Sequence, residues 1–375
     1  MSSMVLRRFK ANKAITATAV VAAVAALTAT TALTAPLVSA AETDPAAAQA
    51  CAMQILPIPE GLVSTKVTGM SRDGSVIAYQ AEPLNPNDPE RYPRLYADGQ
   101  VTEVPMPGRD PEIADVNSEG VGAGHAFPDD FPRPYVWRGG ELTQLLGGRG
   151  YAFGINEPGD IVGEVWDEPG SDTGGTYPAV WRSGATNAVR LPLPKTANGG
   201  SATAIADDGR IIGEITLNND PGEAKPYIWY PDGTGKLLPV PEGVDLADAD
   251  AHPLEINGDW ASGILFAPGI EAPGIRWNLA EGTAEMTKLG RDYETVAVGP
   301  DGTAIGLLYN TPTAAYQTSD DTVVELPGVL DPADNINYDN AEAISADGSL
   351  IAGTAYAGPG ANGYNTWNAV TWTCE

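Results

Sequence analysis

The chain has 375 residues, with 21 Lys and Arg against 49 Asp and Glu, a formal charge of −28. That surplus of acid excludes nucleic acid and anionic lipid as natural partners, because both would be repelled. With 43 Gly and 32 Pro, no amphipathic run of helical length survives beyond the first forty residues, which turns the reading to an all-β fold.

Residues 1–40 read as an export signal: Arg7, Arg8, Lys10 and Lys13 precede an Ala/Val/Thr/Leu-rich run that ends at Val38-Ser39-Ala40. Their removal takes away four basic groups and no acid, leaving 17 basic against 49 acidic residues, a charge of −32. A retained N-terminal anchor is the alternative; otherwise no membrane insertion is expected after signal removal. Residues 41–50 read as a short disordered linker, and 51–375 as a single domain.

Within that domain one phrase returns seven times: MSRDGSVIA, VNSEGVGAG, INEPGDIVG, IADDGRIIG, INGDWASG, VGPDGTAIG and ISADGSLIA. Its turn glycines run from Gly74 to Gly348 at a mean step of about 46 residues, the period of a four-stranded propeller blade. The clearest unit spans 152–195: AFGIN as inner strand, IVGEVWD as second, YPAVW as third and AVRLPLP as fourth, with turns between them. The predicted blades are 62–108, 109–147, 148–195, 196–243, 244–290, 291–328 and 329–375, the last completed by 51–61. The fourth strand recurs as VTEVPMPG, VRLPLPK, KLLPVPEG and VVELPG, and ILPIPEG at 55–61 repeats LLPVPEG at 237–243, so it is the strand the seventh unit lacks. Pairing the two ends closes the ring. Aligned on the fourth blade, Cys51 and Cys374 fall within one turn, and an exported chain with only these two cysteines should join them. Lipid attachment at Cys51 is the rival use. One large aromatic per blade, as at Trp137, Trp181 and Trp229, should pack between sheets; blade six has Gln317 there and reads as the weakest.

The loops between strands two and three, and those between blades, are long and leave on one face, the natural binding face. Arg109, Arg149 and Arg291 open three inter-blade loops, with Tyr151 and Tyr293 two residues after the second and third. Such a set could ring the channel and hold an anionic ligand; a local ion pair with Asp110 or Asp292 is the plainer reading. Asp245, Asp248 and Asp250 form the densest oxygen cluster, able to coordinate Ca²⁺ but without the EF-hand spacing, and read first as a solvated acidic loop. No other cofactor is suggested, since His125 and His252 stand in different blades and no nucleophile elbow, phosphate loop or dinucleotide fingerprint occurs.

INEPGDIVG followed by YPAVWRSG resembles the secreted bacterial repeats named the HAF family, whose consensus joins an IN-x-x-G-x-I-V-G hairpin to an apolar strand ending in Trp and a Gly turn. The resemblance runs through all seven units. One departure stands out: the family's His-Ala-Phe precedes the third-strand Trp, where this chain has Arg133-Pro134-Tyr135, Tyr177-Pro178-Ala179 and Lys225-Pro226-Tyr227. The chain's own His125-Ala126-Phe127 falls in a second strand instead. The family implies repeats, export and an extracellular or cell-envelope role, and carries no catalytic residue over.

The resulting expectation is a monomeric, secreted seven-bladed β-propeller of four-stranded antiparallel blades, closed by an N-terminal strand and a disulfide. It is read as a binding module for a glycan or an envelope protein rather than as an enzyme. An enzyme acting on extracellular polysaccharide and a Ca²⁺-stabilised scaffold are the alternatives.

Overall fold

A computed structural model describes residues 51–83, 90–167, 175–218, 220–290, 296–331, 334, 337–361 and 363–374. The signal and linker segments, and Arg291 and Tyr293, lie outside the described residues. Seven four-stranded antiparallel sheets make up the ring, and no helix occurs among the described residues. None is therefore long and apolar enough to cross a membrane.

The repeated phrase acts in two ways. Its turn glycines take positive φ, 73° at Gly74 and 88° at Gly159, which L-residues with side chains rarely adopt. The glycine of IVG does something else: a Cβ on Gly163 would sit 2.0 Å from the Tyr151 carbonyl, because the neighbouring inner strand bulges toward it between Ala152 and Gly154. Apolar residues alternate across each sheet, and the core lies between blades: Ile212 and Ile228 of blade four share a cluster with Ile256, Leu265 and Trp277 of blade five.

The recurring aromatic also works as a polar staple. Trp181, Trp229, Trp277 and Trp372 are almost wholly buried, and each indole N–H donates to a carbonyl in the tail of the preceding blade: Leu146, Pro192, Pro239 and Pro327, at 2.7–2.8 Å. Burying each side chain contributes about 2–3 kcal/mol to an inter-blade contact. In blade six the geometry is reversed. Gln317 accepts a hydrogen bond from the Lys288 N–H at 2.7 Å and donates to Asp321 at 2.8 Å. The fully buried Arg276 ties the same corner through Glu285 and the carbonyls of Gly302 and Thr318.

The fourth strands are shorter than the sequence phrases. They cover Gln100–Glu103, Val189–Arg190, Gly235–Leu237 and Val323–Glu325, and stop before the prolines. Proline has no N–H for the ladder. One apolar residue still docks beyond each strand: Val104, Leu191, Leu238 and Leu326 donate their N–H to the carbonyls of Pro93, Pro178, Pro226 and Ala314. The prolyl carbonyls that follow are then free to receive the indoles.

The same correction applies at the seam. The closing strand is Cys51–Ile55, not 55–61, and pairs Cys51 with Cys374 through Ile55 with Val370; Leu56 docks beyond it on Ala369. Cys51 and Cys374 form the disulfide, across a sequence separation of 323 residues.

Candidate functional site

Each blade sends its first strand along the axis of the ring. These are Leu62–Met70, Arg109–Val116, Arg149–Ile155, Ala197–Ile205, Asp250–Asn257, Ala297–Val298 and Asn340–Ile344. Six carry a bulge near their ends, between Val67 and Gly69, Ile113 and Asp115, Ala152 and Gly154, Ala202 and Ala204, Pro253 and Glu255, and Ala341 and Ala343. A bulge leaves one residue unpaired and re-aims its side chain. Here the six extra residues, Thr68, Ala114, Phe153, Thr203, Leu254 and Glu342, all line an axial cavity of about 160 Å³. Local backbone irregularity thus chooses the channel wall.

The end of the channel beside the short turns is barred. Arg72, in the first turn of blade one, reaches across the ring to the carbonyls of Ile256 at 2.5 Å and Ile205 at 3.5 Å, with the Glu255 carboxylate at 3.7 Å. Its backbone is held too, since its N–H donates to Glu157 and its carbonyl accepts from Ala346. Glu157 also takes the Ser118 N–H. Turns of blades one, two, three and seven are thereby drawn together over the axis. Beside this bar, Asp115 accepts N–H groups from Ile155 at 2.9 Å and Val116 at 2.8 Å. Its burial and the neighbouring Glu255 push its pKa up to about 8, overriding those hydrogen bonds and the Arg72 charge. Burial raises Glu255 as well.

The opposite end lies among the long loops. Lys66, Glu82, Arg91 and Glu112 line it, with Phe153 of blade three and Glu342 of blade seven further down. Lys66 stands 3.4 Å from Glu82, with its ammonium 4.9 Å from the Trp367 ring centroid. Arg91 pairs with Asp110 at 3.4 Å.

The residues singled out by loop composition lie elsewhere. Arg109 is exposed and pairs with Asp130 at 3.3 Å rather than with Asp110. Arg149 stacks on Phe131 with its guanidinium 3.1 Å from the ring centroid, and Tyr151 is buried against His125, Phe153 and Trp166. Arg149 and Tyr151 therefore brace the junction of blades two and three, one shell outside the channel. The three aspartates are not brought to a common point. Asp245 accepts the Ala247 N–H of its own turn and Asp248 is exposed, while Asp250 faces His252 at 3.2 Å and the Ala224 N–H at 2.8 Å. Among the described residues no group of three or more His, Cys, Asp or Glu is placed to hold a metal ion.

His252 is a strongly perturbed base. Burial opposes its proton, yet Glu214 at 2.5 Å from Nδ1 and Asp250 at 3.2 Å from Nε2 outweigh that cost and raise its pKa to about 10. This charged sandwich joins blades four and five.

No protein-family model and no curated protein matches the chain. Among solved structures it is similar to an oligogalacturonate lyase in complex with manganese, at 11% identity over 87% of this chain and 97% of that one, with a TM-score of 0.51. It is also similar to an acylaminoacyl peptidase of Pyrococcus horikoshii, at 11% identity over 77% of this chain and 49% of that one, TM-score 0.50. A third similar structure is that of U3-55K, at 14% identity over 86% and 98%, TM-score 0.47. At such identities the likeness is one of fold, and a propeller serves lyases, peptidase domains and other proteins alike.

Proposed function

We propose that this chain is an exported, non-catalytic binding module that takes an extracellular glycan at the long-loop end of its axial channel. The observation that carries the reading is the one-ended channel, barred by Arg72 at the short-turn face and lined by polar and aromatic side chains toward the other. Such a blind cup suits capture of a polar group, with Phe153 offering a ring face and the carboxylates, Lys66 and Arg91 offering hydrogen bonds. The Cys51–Cys374 disulfide supports an oxidising compartment, in keeping with the export signal read from the sequence. The resemblance to HAF repeats supports the same setting.

The test is a glycan array followed by calorimetry on each hit. Phe153→Ala should weaken binding about tenfold, the loss of one stacking contact of about 1.4 kcal/mol, whereas Asp245→Asn, remote from the channel, should leave it unchanged. An array without hits, or a hit indifferent to Phe153, would sink the reading.

A further inference from the structure

A closed ring of blades still has an outer rim, and each blade ends there in one outermost strand. These are Gln100–Glu103, Glu141–Gln144, Val189–Arg190, Gly235–Leu237, Thr283–Met286, Val323–Glu325 and, completing blade seven, Cys51–Ile55. Every one but the last carries an exposed charge, at Glu103, Glu141, Arg190, Lys236, Glu285 and Glu325. A charge on a sheet edge discourages pairing with another chain. Cys51–Ile55 has none, no charge follows it before Glu60, and the strand it pairs with, Asn365–Cys374, has none either. It also exposes Gln54 and, at 42%, Ile55.

The ladder shows which groups that edge offers. Leu56 donates its N–H inward to the Ala369 carbonyl, and inward and outward main-chain groups alternate along an antiparallel strand. Ala52, Gln54 and Leu56 therefore turn their main-chain groups to Asn365–Cys374, while Met53 and Ile55 turn theirs to the rim. The spacing is self-complementary. A two-fold axis at Gln54 sets Met53 of one copy against Ile55 of the other, both outward residues able to exchange N–H···O bonds, and brings the two Gln54 side chains together. Over the rest of the surface the formal charge of −28 repels a second copy, so an uncharged edge is where two copies can approach.

We propose that two copies of this chain pair through Cys51–Ile55, antiparallel about Gln54, joining two four-stranded blades into one continuous sheet. Such a dimer departs from the monomer expected from the sequence and is independent of the glycan reading. Because the strand lies at the rim and the channel at the axis, both channel mouths stay open in the pair.

Sedimentation of the oxidised protein should show a monomer at about 1 µM passing to a dimer by about 500 µM, the behaviour of a small transient interface. Raising salt from about 50 mM to about 500 mM should strengthen the dimer severalfold, because screening lowers the repulsion between two acidic bodies. Ile55→Pro removes an outward N–H, which an edge strand tolerates, and should weaken the dimer at least tenfold with little change in melting temperature. Gln54→Glu sets like charges opposite each other at the axis and should weaken it about tenfold at low salt and less at high salt. If Ile55→Pro unfolds the monomer, Gln54→Glu carries the test. A monomer throughout the concentration range, a dimer that salt dissociates, or a dimer indifferent to these substitutions would overturn the proposal.

Discussion

At the short-turn end of the channel a cation is tied to main-chain carbonyls across the ring, whereas at the mouth Lys66 and Arg91 are held by side-chain carboxylates. Arg72 keeps only 18% of its side chain exposed and donates to two main-chain carbonyls across the ring; Lys66, one strand earlier in the same blade, keeps 39% exposed and shares a partly open carboxylate. Asp115 at the floor is driven toward its neutral form, while Glu82 and Glu112 stand toward the mouth. Seven repeated units thus give a channel with a distinct floor, because the turn side is tied across the axis by Arg72 and its backbone contacts. A cation bonded to buried carbonyls contributes more to stability than one in a half-exposed ion pair.

The contrast can be erased altogether at the seam. Blade seven supplies Glu342 to the channel wall and the Ala346 contact to Arg72 at the floor, and it is completed only by Cys51–Ile55. Cys374→Ser should lower stability by up to about 5 kcal/mol, because the disulfide closes nearly the whole domain into one loop. Denaturant midpoints measured without reductant would show this, and reduction of the wild type should reproduce it. A variant as stable as the oxidised wild type would mean that strand pairing alone closes the ring.

A more local break removes the bar. Arg72→Ala withdraws charge-assisted hydrogen bonds from Ile205 and Ile256 and leaves Glu255 beside Asp115 without a nearby cation. The expected cost is about 2–3 kcal/mol, read as a lower melting temperature. A matching Lys66→Ala change at the mouth should cost under about 1 kcal/mol. Equal losses would contradict the contrast.

Proton linkage sharpens it further. The folded protein holds a proton on Asp115 up to about pH 8, whereas the unfolded chain releases it near the ordinary value of 3.8. Between those values the folded state binds more protons, so stability should fall as pH rises through the window and level off above it. Asp115→Asn should flatten that fall and be about 1–3 kcal/mol more stable than the wild type at pH 8. Chemical denaturation from pH 4 to 8 distinguishes the two profiles. An unchanged slope in the variant would show that Asp115 ionises freely.

Much of the architecture was legible in the repeat. The spacing of turn glycines counts the blades, and aligning the two ends on the fourth blade brings Cys51 and Cys374 within one turn, where the structure joins them. The fourth strands were read too long because apolar content suggested a strand where the prolines forbid a ladder. The candidate site was much less legible. Arg109, Arg149 and the aspartates drew attention through loop composition, but loop composition does not say which side chain turns to the axis. The bulge does, and it has a sequence position: Thr68, Ala114, Phe153, Thr203, Leu254 and Glu342 each stand three residues before the first turn residue, Ser71, Asn117, Asn156, Ala206, Asn257 and Ser345. Arg72 also left a trace, as the cation at a turn position that holds Ser118, Glu157 and Asp207 in the next three blades. Only the ring geometry shows that this position faces the axis.

The most direct test is thiol accessibility with the native disulfide intact. Lys66→Cys and Asp115→Cys are each treated with a small methanethiosulfonate and with a bulky polymer-linked maleimide. A barred channel predicts that position 66 reacts with both reagents and position 115 with the small one only, until Arg72→Ala is added and the bulky reagent enters. Fast reaction of the bulky maleimide at position 115 with Arg72 in place would contradict a channel closed at that end.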